Sequence, residues 1–275
     1  MGAVMPELLV VTAADRAYLP FVLPYAASVL HHNDDSALEI FVPDRAQIEQ
    51  AYTAGLAKLQ HLFPDRLLLT QVNFDAPGSV IRFIKQPSMR ATYVYIGDID
   101  ILVLEAIAPR HIAIMERENI RYSNEVRSSF QTLGLNKMTG LHFSEYDFYY
   151  PVAIPDDIDL PSLKWNSDED LLYQIVSART EPRVGSIGRP VHGFHMSHHG
   201  WPYNQWGVRN QTYRTRYATF CGTPTWLEMR EFFDPRYVVY LEILEATIRG
   251  YRHFTEAELK GSLALFGRGA TRVSQ

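Results

Sequence analysis

Cysteine is almost missing from this chain. Cys221 stands alone among 275 residues, so no internal disulfide can staple the fold and its stability must come from a packed core. Long apolar runs are missing too, and no stretch approaches the ~20 residues that a bilayer-spanning helix needs. There is no excess of basic charge: 26 Lys and Arg stand against 31 Asp and Glu, a net charge of −5. This argues against broad nucleic-acid binding, because neutralising phosphates takes a basic surface. The start MGAVMPELLVV lacks the basic stretch and small-residue cleavage site of a secretory signal. It opens Met-Gly, but Pro6 stands where a myristoylation signal has Ser or Thr. From these absences we expect a cytoplasmic protein with no transmembrane segment, while peripheral membrane contact through the C-terminal region stays open. Internal repeats and low-complexity tracts are also lacking. What is present is a hydrophobic content of 47%, ample for a sizeable core.

The first third of the chain alternates short apolar runs with helical periodicity. Glu7–Thr12 reads as a buried strand that ends in the polar loop Ala13–Asp15, and Tyr18–His32 carries apolar residues at helical spacing. Residues 33–36 supply a break, Ala37–Val42 a second strand, 46–62 a helix and Arg66–Val72 a third strand. Ser79–Pro87 looks helical and leads into the clearest strand of the chain, Thr92–Ile96, followed by Gly97-Asp98-Ile99-Asp100 and the apolar stretch Ile101–Leu104. Alternation of this kind predicts an α/β fold with a mostly parallel central sheet flanked by helices. Beyond it the pattern loosens. Residues 135–152 show the alternation of antiparallel strands, and 168–178 read as a helix capped by Ser167 with acids in its first turn. Residues 190–197 read as a strand entering a His-rich loop, and the stretch from Thr225 to about Gly261 as helical.

Asp98 and Asp100 follow a buried strand inside YVYIGDIDILVLE, apolar on both flanks. Two carboxylates are costly there unless something positive compensates them. A divalent cation does so, and hard oxygen ligands suit Mn²⁺ or Mg²⁺, which take a few carboxylates and complete their shell with substrate phosphates. The carboxyl end of a strand is also where open α/β sheets bind ligands. Downstream, HGFHMSHH offers four histidines as a further ligand. His192 and His195 are three apart in a strand and so face opposite sides, and His195, nearer the end of the strand, is the preferred candidate over His192, His198 and His199.

With these motifs the sequence resembles the GT-A glycosyltransferases, most closely the glycosyltransferase family 8 type that includes glycogenin and bacterial lipopolysaccharide galactosyltransferases. Thr12-Ala13-Ala14-Asp15 with Tyr18 is similar to the family's nucleoside-holding loop, Arg82 in IRFIKQP to its donor-reaching Arg, and YIGDID to its metal strand. Asp168-Glu169-Asp170 resembles its Asp-Gln-Asp near the donor sugar. The resemblance covers about residues 8–205. It implies a single domain over 1–275, with 1–110 as nucleotide-binding half and 111–275 as acceptor-binding half ending in helices. It implies that Asp98, Asp100 and His195 hold Mn²⁺ or Mg²⁺, that Thr12, Ala13, Asp15, Tyr18, Arg82, Asp98 and Ile99 contact the donor, and that Asp168, Glu169 and Asp170 serve catalysis. The partners implied are a nucleotide-sugar donor, with UDP as the nucleotide, and a saccharide or lipid-linked saccharide acceptor. The chain departs from the family in two places: no Lys follows its His motif, and Met138-Thr139-Gly140 replaces an Asn-x-Gly.

Under retention of configuration, toward which the resemblance tilts, the leaving phosphate takes the acceptor's proton while Asp170 or Asp168 stabilises positive charge on the sugar. Under inversion a carboxylate must take that proton, with Asp168, Glu169, Asp170, Glu145 and Asp147 as candidates. Trp201, Tyr203, Trp206, Tyr149 and Tyr150 are candidates for stacking on sugar or base. Two other functions stand beside transfer. A sugar-nucleotide pyrophosphorylase needs a Gly-rich phosphate loop after the first strand, and TAADRAYLP has no glycine. A non-catalytic carbohydrate-binding protein has little reason to bury the Asp pair.

Overall fold

The computed structural model describes residues 5–127, 130, 135–164, 167–183, 190–196 and 210–250. Strand β1 (Leu8–Ala13) is buried along its whole length, as a run without polar alternation should be. A 3₁₀ turn at Leu19–Phe21 leads into α1 (Val22–His32), and β2 (Ser36–Val42) is again buried throughout. Helices α2 (Arg45–Ala51) and α3 (Thr53–Leu62) stand where the sequence suggested one helix. They divide at Tyr52, whose backbone leaves helical geometry at φ −123° and whose hydroxyl donates to Asp234 at 2.7 Å. Then come β3 (Leu67–Gln71), α4 (Gly78–Ile84), β4 (Tyr93–Ile96), β5 (Ile101–Val103), α5 (Ala108–Glu118) and β6 (Tyr122–Ser123).

The expected run of antiparallel strands over 135–152 becomes one strand, β7 (His142–Glu145), and a single helical turn, α6 (Tyr146–Tyr149). The aromatics of YDFYY go into the core from that turn rather than alternating across a sheet. Helix α7 (Asp168–Ser177) follows, then β8 (Gly193–His195), which is shorter than the expected strand. Helix α8 (Gln211–Cys221) lies in a stretch where no helix was expected; Asn210 caps it by accepting from Thr212 N. Helices α9 (Pro224–Met229) and α10 (Pro235–Ile248) complete the described chain. None of the described helices is long and apolar enough to cross a membrane.

The main sheet has the order β3-β2-β1-β4-β7-β6. Strands β3, β2, β1 and β4 are parallel, and β7 joins β4 antiparallel. Successive residues of β1 supply opposite cores: Leu8 and Val10 face a layer with α1, α3 and the C-terminal helices, while Leu9 and Val11 face a layer with α4, α6 and α7. The fold is therefore a mixed α/β structure with a mainly parallel sheet between helices. From β1 the chain winds to one side through β2 and β3, and β4 then lies on the other side. The crevice outside the carboxyl ends of β1 and β4 is thus the topological switch point of the sheet. A separate antiparallel pair, β5-β8, carries His195 back to that crevice.

Candidate active site at the sheet's switch point

Four segments meet at this crevice. The ends of β1 and β4 are tied together by Thr12, whose buried hydroxyl donates to Gly97 O at 2.9 Å, and by Gly97 N donating to Val11 O at 3.2 Å. Just past β1, Asp15 closes a turn by accepting from the backbone N–H groups of Ala17 (2.9 Å) and Tyr18 (3.3 Å). Ala13 and Ile99 are buried beside these turns. Past β4 come Asp98, partly exposed, and Asp100, only 5% exposed. His195 Nε2 approaches Asp100 Oδ1 at 3.5 Å. One ligand atom from each of Asp98, Asp100 and His195 lies within 4.8 Å of the other two. Two hard carboxylate oxygens and an imidazole nitrogen suit Mn²⁺ or Mg²⁺.

Arg82, on α4, is buried beside this group. Its Nη1 pairs with Asp98 and its Nη2 with Asp168 Oδ2 at 3.2 Å, while Nε is buried without a partner among the described residues. Burial opposes its charge, yet Asp98 and Asp168 hold its pKa above the ordinary value. Burial likewise raises the pKa of Asp168, with Arg82 opposing and Asp98 adding to the rise. Gly140, in the loop that leads into β7, lies against this triad. A Cβ there would stand 3.1 Å from Arg82 Nη2, 3.8 Å from Asp168 Oδ2 and 3.9 Å from Asp98 Oδ2.

Helix geometry sends the three successive acids at the start of α7 in different directions, about 100° apart. Asp168 turns to Arg82, Glu169 to Arg127 at 2.6 Å, and Asp170 to Lys137 at 3.1 Å. The expected Ser167 cap is not made by its side chain: Oγ accepts instead from Lys164 N at 3.1 Å. Glu145 and Asp147 form surface pairs with Arg121 and Arg90. Tyr149 and Tyr150, considered for stacking on sugar or base, are buried instead, and the Tyr149 hydroxyl donates to Phe83 O at 2.9 Å. His192 is buried away from the acidic pair, against Glu105 and His111. His198, His199, Trp201, Tyr203 and Trp206 lie outside the described residues.

Two tyrosines from distant parts of the chain flank the acids. Burial, then the charges of Asp100, Asp98 and Asp15, raise the pKa of Tyr18. Burial, then Asp100, push that of Tyr240 on α10 up to about 12. Their rings are bridged by Phe21, at 5.8 Å from Tyr18 and 5.4 Å from Tyr240. The sequence reading missed Tyr240, which looks like any other aromatic of the amphipathic helix, and gave Gly140 no place in the site.

No protein-family model matches the chain. No curated protein matches it either. Among solved structures it is similar to the galactosyltransferase LgtC in complex with donor and acceptor sugar analogs, at 17% identity over 51% of this chain and 58% of that one, TM-score 0.35. It is also similar to a mannosyltransferase from Pyrobaculum calidifontis in complex with GDP-Man and Mn²⁺, at 12% identity over 96% of this chain and 81% of that one, TM-score 0.42. A third is the bifunctional glycosyltransferase WbbM, at 12% identity over 92% of this chain and 53% of that one, TM-score 0.45. These likenesses are too slight to assign an activity to this chain.

Proposed function

We propose that this chain is a metal-dependent glycosyltransferase of GT-A-like architecture. In this reading it moves a hexose from a nucleotide-sugar, with UDP as the nucleotide, to a saccharide or lipid-linked saccharide, with retention of configuration. The observation that carries the reading is the convergence of Asp98, Asp100 and His195 within 4.8 Å at the switch point of the sheet, beside a buried arginine. The donor set and its place fit Mn²⁺ or Mg²⁺, and the motifs of residues 12–18, 82 and 98–100 match the family resemblance. When bound, the ion supplies Lewis-acid neutralisation of a diphosphate leaving group.

The protein's own residues do the rest. Thr12, Ala13, Asp15 and Tyr18 form the loop that holds the nucleoside, while Arg82 and the Asp98–Ile99 turn lie on the donor side. Arg82 also fixes Asp98 and Asp168 relative to each other. Asp168, the member of the acidic triplet that turns into the crevice, stabilises positive charge developing on the sugar; Glu169 and Asp170, with their own cationic partners, hold the start of α7 in place. The bond from the sugar's anomeric carbon to the diphosphate oxygen breaks, a bond to the acceptor oxygen forms, and the acceptor's proton passes to the departing diphosphate. Residues 1–110 serve as the nucleotide-binding half and 111–275 as the acceptor half, which contributes Gly140, Asp168, His195 and Tyr240 to the crevice.

Hydrolysis or transfer by a panel of nucleotide-sugars, with Mn²⁺ and with chelator, tests this. Turnover of a UDP-sugar that requires the metal is expected. Pyrophosphate-dependent nucleotide formation would instead indicate nucleotidyl transfer, and binding without turnover a carbohydrate-binding protein.

A further inference from the structure

His195 stands on a ladder of three residue pairs, Ile101 with His195, Leu102 with Phe194 and Val103 with Gly193. So short a ladder specifies its own register weakly, and a slip of one residue would turn His195 away from Asp100. At the site end the ladder is closed by Met196 N donating to Asp100 O at 2.6 Å, and at the far end by Leu104 N donating to His192 O at 2.7 Å. Two residues at that far end restrict what the strand can do. Gly193 lies so close to β5 that a Cβ would fall 1.8 Å from Leu102 O. His192 takes φ 61°, a left-handed conformation that side chains with a Cβ rarely adopt, so something must hold it there.

What holds it is a buried hydrogen-bond chain. His192 Nδ1 lies 3.0 Å from Glu105 Oε1, and its Nε2 lies 2.9 Å from His111 Nε2. His111 Nδ1 in turn lies 2.7 Å from Ser123 Oγ. With both rings neutral, every proton has one consistent place. The Ser123 hydroxyl donates to His111 Nδ1, His111 Nε2–H donates to His192 Nε2, and His192 Nδ1–H donates to the Glu105 carboxylate. Burial, which lowers the pKa of both histidines, favours that neutral state. Glu105 also accepts from Tyr213 at 2.9 Å and from Arg216, both on α8. The chain therefore anchors His192 between β6 and α5 of the main fold on one side and α8 on the other, at the root of the strand that ends in His195.

We propose that His192 is a positioning residue: through Glu105 and His111 it fixes the register of β8 against β5 and so holds His195 beside Asp100. Its importance for the reaction rests on the reading of Asp98, Asp100 and His195 as a metal site, but the register itself can be tested without metal. His192→Leu breaks the chain, and His192→Asn keeps a donor near the δ position. In metal-free protein, amide hydrogen exchange at Met196 is expected to quicken by about tenfold or more in His192→Leu, because the ladder opens more easily. In His192→Asn it should return toward the wild-type rate. Mn²⁺ affinity, followed by electron paramagnetic resonance, should fall by about 10- to 100-fold in His192→Leu and recover in step. Ser123→Ala, a milder break at the far end of the chain, should shift Met196 exchange in the same direction and keeps the test open if His192→Leu does not fold. Met196 exchange at the wild-type rate in both variants would overturn the proposal. Wild-type protein that binds no Mn²⁺ while Met196 exchange still responds would count against the metal reading and leave the register claim standing.

Discussion

Two buried carboxylates, one inside the main sheet and one just past the end of its strand β4, are treated in opposite ways. Glu39, in the middle of β2, is fully buried and surrounded by protein donors: Thr70 Oγ1 at 2.7 Å, Ser88 N at 3.0 Å and Met89 N at 3.0 Å. Both of its oxygens are used, and the bonds pin the loop that leads into β4. Asp100, at 5% exposure, has His195 at 3.5 Å as its one side-chain partner among the described residues, with the acid Asp98 close by. A buried charge is expensive unless paired and hydrogen-bonded. Among the described residues Glu39 meets that condition in full, and Asp100 meets it only through His195. Glu39 is thus a structural acid, and Asp100 has the environment of a binding group.

Substitution should separate the two most sharply. Asp98→Asn or Asp100→Asn is expected to lower metal-dependent kcat by about 10³-fold or more; the melting temperature should hold or rise in Asp100→Asn, where a buried charge is removed, and fall in Asp98→Asn, which takes a charged partner from buried Arg82. Steady-state assays with thermal melts check both halves. Glu39→Gln should do the reverse. It costs about 2–3 kcal/mol, because the charged acceptor of three donors is lost, and leaves the kcat of the folded fraction unchanged; denaturant titration reads the cost. Saturating Mn²⁺ sharpens the contrast from the other side. At a hundred times its Kd it should stabilise wild type and Glu39→Gln alike by about 3 kcal/mol, and Asp100→Asn hardly at all, as followed by the shift in melting temperature.

Per pH unit, the smallest effect comes from acid. Burial lowers the pKa of fully buried His142 to about 3. A base whose folded pKa is depressed contributes stability above its unfolded pKa and loses it as pH falls toward the folded value. Stability should therefore decline as pH drops from about 6.5 toward 3, by about 1 kcal/mol per pH unit from this residue. His142→Gln should flatten that decline, which unfolding curves measured across the range would show.

How much of this was legible in the sequence depended on whether a residue's neighbours in space were also its neighbours in the chain. The switch-point strands could be read because β1 and β4 are runs of apolar residues that end in polar turns, so Thr12, Asp15, Asp98 and Asp100 fall at strand ends by position alone. Strand parity predicts that His192 and His195 face apart, and the structure has them on different partners, but His192 lies outside β8 at φ 61°, so it is that backbone turn rather than parity that separates them. What periodicity does not report is which of three consecutive helix-start acids meets an arginine 86 residues earlier. Nor does it report that a tyrosine of α10 lies near Asp100, since Tyr240 has the spacing of a core residue. The aromatic stretch over 146–150 misled because alternation was read as strand where a single helical turn buries the same rings. Tyr52, where an apparently continuous helix divides, has its hydroxyl bonded to Asp234, a partner far along the chain that periodicity does not report.

The most direct test of the central claim is calorimetric titration of Mn²⁺, with and without UDP, into wild-type protein and the Asp98→Asn and Asp100→Asn variants. The account predicts one ion per wild-type chain, bound more tightly when the diphosphate is present, and a loss of that binding in both variants. Equal Mn²⁺ affinity in all three proteins would contradict it.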